Sequence, residues 1–298
     1  MNNRISLSVI DFQEKYGDKG AIDAAAKLGL SIIDFDLSTH HVDKDGDVYS
    51  LGKDAVKEYF SAIASYATER GIKIGQTHGR FSGYGITPER DGIFVKDAEL
   101  DCIATAALGA KYSVFHTPAH NHVGDLPDGR MFEIGVSLFS IVLPFAKEHG
   151  VKIAAETHGT ASKYNKMEFF GIPENLKELV RRVRENSPAG DALCVCVDTG
   201  HTNLATNMGY PSVGDVIRYL GDLVEVLHMH DNNGIKDQHK ILGTGIIDWK
   251  DVFAALSEIG YSGSYNLETM LKHYGDDFEF EEAEFSAKVL DHFLKTTN

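Results

Sequence analysis

Eight short apolar segments recur along the chain, and a stretch with the residue pattern of a helix follows each of them. The segments are mostly continuously hydrophobic and rich in β-branched residues, which is typical of strands covered on both faces in a parallel sheet. Their ranges are 5–12, 30–38, 72–79, 112–119, 151–159, 193–201, 225–233 and 264–270. Eight βα units in strict alternation over 298 residues predict an α/β fold, a single (β/α)₈ TIM barrel that occupies residues 1–298.

Prolines and glycines mark the ends of the predicted helices. The segments TPER (87–90) and IPEN (172–175) each place a proline in a first helical turn with an acidic residue after it. Glycines follow four helical stretches where a C-terminal cap is expected, namely Gly71, Gly109, Gly150 and Gly260. These signals support the division of the chain into βα units.

A doubly wound open sheet is the structural alternative. That fold would be expected to carry a G-x-G-x-x-G phosphate loop after its first strand, and residues 9–20 contain none. The GTG at 243–245 comes late, between a polar loop and a helix. No linker rich in Pro, Gly or Ser divides the chain, so one domain is expected.

The charge balance bears on the class of partner. The chain has 29 Lys and Arg against 44 Asp and Glu, a formal net charge of −15. Proteins that bind nucleic acid or an anionic membrane gain affinity from cationic side chains. We therefore expect neither nucleic acid nor a membrane as the partner.

Three further features predict a cytoplasmic protein. The cysteines, Cys102, Cys194 and Cys196, form no C-x-x-C pair and are expected to be buried free thiols, as in a reducing compartment. The first residues, MNNRISLSVI, lack the pattern of a signal peptide. No run approaches the roughly 18 apolar residues of a transmembrane helix.

Histidine, aspartate or glutamate stands at or just past the C-terminal end of six consecutive predicted strands. These residues are His78, His116, Glu156, Asp198 with His201, His230 with Asp237 and His239, and Glu268. One such residue alone is usually a cap or a satisfied hydrogen-bonding group. Because the eight βα loops of a barrel converge at this end, six in succession favour a shared site.

Two carboxylates in this set, Glu156 and Glu268, are flanked by Asp198 and His230. Mixed oxygen and nitrogen ligands of this kind suit one divalent cation, which could be Mn²⁺, Co²⁺, Zn²⁺, Fe²⁺ or Mg²⁺. His228 lies two residues before His230 on the same side of the strand, and we expect it to support the site rather than to bind the ion.

The chain also resembles a known family through a series of motifs that run in order over roughly residues 70–270. They are THGRF (77–81), VFHTP (114–118), AAETHG (154–159), VDTGHTNL (197–204), HMHDNNGIKDQH (228–239), LGTGIIDW (242–249) and NLET (266–269). Together they are similar to the xylose isomerase-like barrel superfamily, and in particular to its sugar phosphate isomerase/epimerase branch.

The resemblance implies a metal ion held by Glu156, Asp198, His230 and Glu268. It also implies that the two glutamates are the acid and base that move a proton next to a carbonyl, through a metal-stabilised enediolate. Return of the proton to the same carbon with inversion is epimerisation, and return to the neighbouring carbon is isomerisation. The expected substrate is a sugar, a sugar phosphate or a keto-sugar, and a homo-oligomer is possible by resemblance.

Five further residues are candidates for substrate binding: His201, which the resemblance matches to a hydroxyl contact, and His78, His116, Asp237 and His239. The same residues leave an alternative open, because endonuclease IV belongs to the superfamily and uses three zinc ions to cut DNA at abasic sites. His78 and His116 would then join Glu156 at one ion, and His201, Asp237 and His239 would hold another. The net charge argues against this alternative, and Arg80 is one of few basic residues near the predicted rim.

A third alternative is a non-catalytic barrel that binds a sugar or a partner, because a fold alone does not imply an activity. Such a protein has no need for two glutamates on one cation. The pair therefore favours an enzyme.

Overall fold

Eight parallel strands form a closed ring in the computed structural model, which describes residues 2–81, 83–275 and 277–296. They are β1 (Ile5–Leu7), β2 (Ile32–Asp36), β3 (Lys73–His78), β4 (Tyr112–His116), β5 (Lys152–Glu156), β6 (Leu193–Asp198), β7 (Val224–His228) and β8 (Tyr265–Leu267). β2 to β7 form one continuous sheet in chain order, and β1 pairs with β8. Parallel bridges from Ser8 to Asp34 and from Met229 to Leu267 complete the ring. The predicted (β/α)₈ barrel is confirmed.

Helices connect the strands around the outside of the ring. They are α1 (Ile10–Lys27), α2 (Lys53–Glu69), α3 (Pro88–Ala107), α4 (His120–Val123), α5 (Asp128–Glu148), α6 (Pro173–Asn186), α7 (Thr199–Thr206), α8 (Val213–Leu220), α9 (Trp249–Glu258) and α10 (Glu279–Thr296). The described residues thus contain two helices more than the eight expected. The four-residue α4 lies in the loop after β4, and α7 begins directly at the end of β6.

The expected helix ends are present. The hydroxyl of Thr87 caps α3 by accepting from the backbone N–H of Arg90, and Pro88 is the first helical residue. Pro173 opens α6 in the same way. The four predicted cap glycines all adopt a left-handed backbone, with φ between 69° and 74°.

The ring interior differs from the layer outside it. Successive strand residues face opposite sides, so Ile33 and Phe35 of β2 pack against the helices in the large apolar layer. A smaller apolar group lies inside, made of Val114, Ala154, Cys194, Cys196 and Val226. These residues come from β4 to β7, whereas on β8, β2 and β3 the buried inward residues include Asn266, Asp34 and Gln76. One side of the interior is therefore apolar and the other is polar. The three cysteines are free and buried, as expected.

Among the described residues, α5 is long and apolar enough, by length and composition, to cross a membrane. In this fold it packs against β5, α3 and α6. Its residues Leu138, Phe139 and Val142 are fully enclosed in the apolar layer. Part of the apolar surface of α5 is therefore buried in the core of this fold.

Candidate active and metal-binding site

The carboxyl ends of β3 to β8 bring the predicted residues to one end of the ring. His78, His116, Glu156 and Asp198 are the last residues of β3, β4, β5 and β6. The strand register sets His116 beside Glu156 and Asp198 beside His228. His230 and Glu268 follow just after β7 and β8.

Glu156 is the most connected carboxylate of the site, and it is buried. Its Oε2 lies 2.8 Å from Nε2 of His116 and 3.8 Å from Nε2 of His78. Its Oε1 lies 2.8 Å from Nδ1 of His228. Glu156 therefore links the histidines of three strands.

His228 lies between Glu156 and Glu268, the two glutamates that are predicted to bind the metal. The same Nδ1 that approaches Glu156 is 3.4 Å from Oε1 of Glu268. Two ligands of one zinc ion, each about 2.1 Å from the metal, are themselves separated by about 3 to 3.5 Å. His228 Nδ1 therefore lies close enough to both glutamates to bind the same ion, which a residue that only supports the site would not need to do.

Asp198 and His230 form a second buried pair. Nε2 of His230 lies 3.0 Å from Oδ1 and 3.1 Å from Oδ2 of Asp198. The backbone N–H of His201 donates to Asp198 Oδ1 at 2.6 Å, because α7 begins directly after the strand. The hydroxyl of Thr199 donates to the carbonyl oxygen of His230 at 2.8 Å, which ties β6 to the end of β7.

A third group lies toward solvent and consists of His201, Asp237 and His239. Oδ2 of Asp237 is 3.2 Å from Nε2 of His201 and 3.3 Å from Nε2 of His239. The His239 ring stacks on His230, with centroids 3.9 Å apart and planes within 8°. This outer group is therefore in direct contact with the Asp198–His230 pair.

Burial and neighbouring charge shift the pKa values of the two glutamates in opposite directions. Burial raises the pKa of Glu268 to about 8, with Asp198 and Glu156 adding to the effect against the opposing charges of His228 and His239. Burial also disfavours the charged form of Glu156, but His116 and His228 outweigh it and hold the pKa of Glu156 well below its usual value. A bound dication would favour the ionised form of both carboxyls.

The outer group, His201, Asp237 and His239, contains positively charged histidines and a negatively charged aspartate. Although burial opposes the charged imidazolium, the hydrogen bond to Asp237 and the nearby carboxylates raise the pKa of His239 to about 9. Asp237 is affected in the reverse sense, because the two histidines outweigh its burial and lower its pKa. Within the metal-free protein this group is therefore an ion pair that extends the site outward.

The donor set fits a divalent cation. Oε2 of Glu268 and Nδ1 of His230 are buried and make no hydrogen bond, so both have a free lone pair or proton inside the site. Several sets of three residues have potential ligand atoms within 4.8 Å of one another, among them His78, His228 and Glu268, and His230, His239 and Glu268. Buried imidazole and carboxylate in this density are typical ligands of transition metals.

Arg80 does not reach the open site. It is buried, and its Nε donates to Asp101 at 2.6 Å while Nη1 donates to the carbonyl oxygen of His40 at 2.9 Å. Its guanidinium also donates to the carbonyl oxygen of Leu37. Arg80 therefore anchors the loop after β2 and is not available to bind a phosphate.

Two carboxylates on β2 were missed by the sequence analysis. Asp34 and Asp36 point into the ring and are both buried. The signal for them was present, because IIDFD places two acidic residues two apart in an otherwise apolar strand. Asp36 accepts hydrogen bonds from the backbone and the hydroxyl of Ser38.

Replacing Gly200 with alanine is expected to displace His230. A Cβ at this position would lie 2.6 Å from Nε2 of His230 and closer still to Cε1 and Nδ1, so the ring or α7 must move. Overpacking of this kind costs about 1–3 kcal/mol. The free energy of unfolding, measured in urea, should fall by that amount. Gly92→Ala is the control, because a Cβ there meets nothing within 4 Å; equal stability of the two variants would contradict the prediction.

The amino-acid sequence is similar to one family and to several known proteins. The sequence model of the xylose isomerase-like TIM barrel matches residues 22–291. An uncharacterized protein of Methanocaldococcus jannaschii is 26% identical over 214 residues, which are 68% of this chain and 65% of that protein, just under two thirds of its length. D-psicose 3-epimerase of Agrobacterium fabrum is 22% identical over 257 residues, which are 85% of this chain and 80% of that enzyme.

Solved structures share the fold over nearly the whole chain. A D-tagatose 3-epimerase-like protein superposes with a TM-score of 0.73 at 19% identity and covers 99% of this chain and 98% of its own. The IolI protein with a bound zinc atom superposes with a TM-score of 0.71 at 16% identity, over 98% of this chain and 97% of its own. At these identities the similarity demonstrates the fold alone.

Proposed function

The chain belongs to the xylose isomerase-like TIM barrel family, and from that premise we propose that it is a divalent-metal-dependent isomerase or epimerase of a sugar. The observation that carries the proposal is the pair of glutamates, Glu156, which is buried, and Glu268, which is partly buried, that approach one histidine nitrogen within 2.8 Å and 3.4 Å. The D-psicose 3-epimerase relative and the zinc-containing IolI neighbour support the same reaction class and the same kind of cofactor.

Four residues are proposed as the metal ligands: Glu156, Asp198, His230 and Glu268. The contact between Asp198 and His230 supports their membership of one site. His228 is added to the set, because its Nδ1 faces both glutamates. The ion could be Mn²⁺, Co²⁺, Zn²⁺, Fe²⁺ or Mg²⁺, and the clustered outer residues leave room for more than one ion.

The two glutamates are proposed as the proton-transferring pair. When bound, a divalent ion would polarise the substrate carbonyl and make the neighbouring C–H more acidic. Glu156 and Glu268 come from β5 and β8, with two strands between them, so their carboxyl groups approach a substrate from different sides of the ring. One takes the proton and the other returns it, which inverts a carbon or moves the carbonyl.

The substrate is proposed to be a small sugar or sugar derivative. A cavity of about 350 Å³ adjoins the site and is lined in part by His158, His201 and Asp237. This volume is at the lower end of the range of about 300–1,000 Å³ for small-molecule sites. His78, His116, His201, Asp237 and His239 are the proposed substrate contacts. The buried free thiols support an enzyme of the cytoplasm.

Deuterium wash-in tests the proposal. The purified protein is incubated in D₂O with a panel of keto-sugars, phosphorylated and not, and its metal content is determined by elemental analysis. We expect stoichiometric metal and deuterium at the carbon next to the carbonyl. A metal-loaded protein that binds a sugar of the panel but exchanges no proton in any of them would instead be a non-catalytic binding protein.

The second candidate function is cleavage of abasic DNA, as by endonuclease IV. The grouping of His78, His116 and Glu156, and of His201, Asp237 and His239, favours it, because each group could hold a further ion. The burial of Arg80 and the net charge of −15 disfavour it, since little cationic surface is left to follow a phosphate backbone. Efficient cleavage of an abasic duplex without sugar exchange would establish the second candidate.

Replacing Asp237 with asparagine is expected to leave the main metal ion in place. Asp237 is partly exposed, and its short contacts are to His201 and His239 rather than to either glutamate. Elemental analysis should still give one ion per chain. Asp198→Asn is the matched variant, and it should lose the ion because a buried ligand loses its charge. Complete metal loss in Asp237→Asn would place Asp237 in the main site.

A further inference from the structure

Asp34 is a buried carboxylate that the proposed reaction does not use. It points into the ring from β2, while its neighbours Ile33 and Phe35 face the helices, and it is 1% exposed. Burial of a carboxylate is costly unless several donors compensate it. The position therefore calls for an explanation beyond packing.

Side chains from three strands surround one oxygen of Asp34. Oδ2 accepts hydrogen bonds from the amide of Gln76 at 3.0 Å and from the amide of Asn266 at 2.9 Å. The same oxygen lies 3.2 Å from Nε2 of His228, a buried nitrogen that makes no hydrogen bond in this conformation. The amides from β3 and β8 hold the carboxylate in one orientation, with Oδ2 facing the imidazole of β7.

The imidazole of His228 is thus contacted at both nitrogens. Nε2 faces Asp34, and Nδ1 faces Glu156 at 2.8 Å and Glu268 at 3.4 Å. An imidazole that binds a metal uses the lone pair of one nitrogen and carries its proton on the other. With the proton on Nε2, the lone pair of Nδ1 points to the two glutamates.

We propose that Asp34 is a positioning residue, which accepts the Nε2–H of His228 and thereby presents the His228 Nδ1 lone pair to a cation bound between Glu156 and Glu268. The inference rests on the proposed function, because it requires that a cation binds there. A carboxylate behind a ligating histidine fixes the ring and its tautomer, and loss of such a partner typically weakens metal binding by about 10–100-fold.

Metal affinity of the full chain tests the role of Asp34. The dissociation constant for Zn²⁺ is measured by competition with a chromophoric chelator for the wild-type protein, Asp34→Asn and Asp36→Asn. We expect about 10–100-fold weaker binding in Asp34→Asn. Asp36→Asn makes the same chemical change on the same strand and face, and its carboxyl accepts from Ser38, so less than threefold change is expected.

A second readout separates positioning from stability. The free energy of unfolding of the metal-free variants is measured in urea, because a merely structural role would lower it without changing the affinity of the folded protein. In zinc-loaded protein, ¹⁵N NMR of the histidine rings should detect a proton on Nε2 of His228. Should Asp34→Asn not fold, Asp34→Ser, which leaves space for water beside Gln76 and Asn266, provides the same measurement.

The outcomes distinguish the inference from the function on which it rests. A wild-type protein that binds no divalent metal ends both. A wild-type protein that binds metal, together with Asp34→Asn within threefold of its affinity, refutes the role of Asp34 and leaves the proposed function intact. A zinc-loaded protein with the proton on Nδ1 of His228 also refutes it.

Discussion

Glu268→Gln and Glu156→Gln are each expected to lower solvent proton exchange into the substrate by at least about 1,000-fold, within the range that a positioned acid or base contributes. Glutamine keeps the size of the side chain and one oxygen, but it cannot take up or release a proton at neutral pH. Glu156 and Glu268 come from β5 and β8 and are proposed to serve different sides of the substrate, so neither should replace the other. Deuterium incorporation per minute, followed by NMR, gives the rate.

The metal content of each glutamine variant must be determined in the same sample, because both residues are also proposed ligands. A variant that retains its ion and has lost exchange has lost the acid or base, whereas one without the ion has lost the cofactor. Glu281→Gln on α10 is the matched control, since its side chain is exposed. Exchange within tenfold of wild type in one of the glutamate variants would remove that glutamate from the reaction.

Removal of the metal is expected to lower the exchange rate by more than about 100-fold, and addition of a single divalent ion should restore it. The reason is that the carbonyl would lose its Lewis acid. Without the ion, burial also raises the pKa of Glu268 to about 8, so near pH 7 this carboxyl is mostly protonated and cannot act as a base. The protein is dialysed against a chelator, assayed, and then titrated separately with Mn²⁺, Co²⁺, Zn²⁺, Fe²⁺ and Mg²⁺. The order of the restored rates identifies the preferred ion.

Circular dichroism before and after chelation shows whether the fold persists. Full exchange activity in a folded protein without metal would contradict a metal-dependent reaction. A loss that no ion reverses, in a protein that still has its helical signal, would also contradict it.

The barrel could be predicted from the sequence because its period is simple. Strands that are covered on both faces have continuously apolar sequences. Few folds other than a closed barrel accommodate eight such strands in alternation with helices. The two additional helices could not be found in the same way. The apolar run from Leu193 continues into DTGH, and only the structure shows that the chain turns into α7 at Thr199.

The site could be predicted as a set of strand ends but not as a set of contacts. Sequence spacing places His228 and His230 on one side of β7, yet it cannot tell which nitrogen faces which carboxylate. That depends on strand register, which shifts between Val195 and Cys196. Asp34 was missed for a related reason, because its partners Gln76, His228 and Asn266 are 42, 194 and 232 residues away in the chain.

The two-sided ring interior restricts how such a scaffold can be redesigned. On the side of Val114, Ala154 and Val226, aliphatic residues can be exchanged at nearly constant volume, because no directional bond is broken. On the side of Asp34, Gln76 and Asn266, a single substitution leaves a neighbouring side chain without its hydrogen-bond partner. Combinatorial libraries should therefore vary the first side freely and move the second only as a complete set.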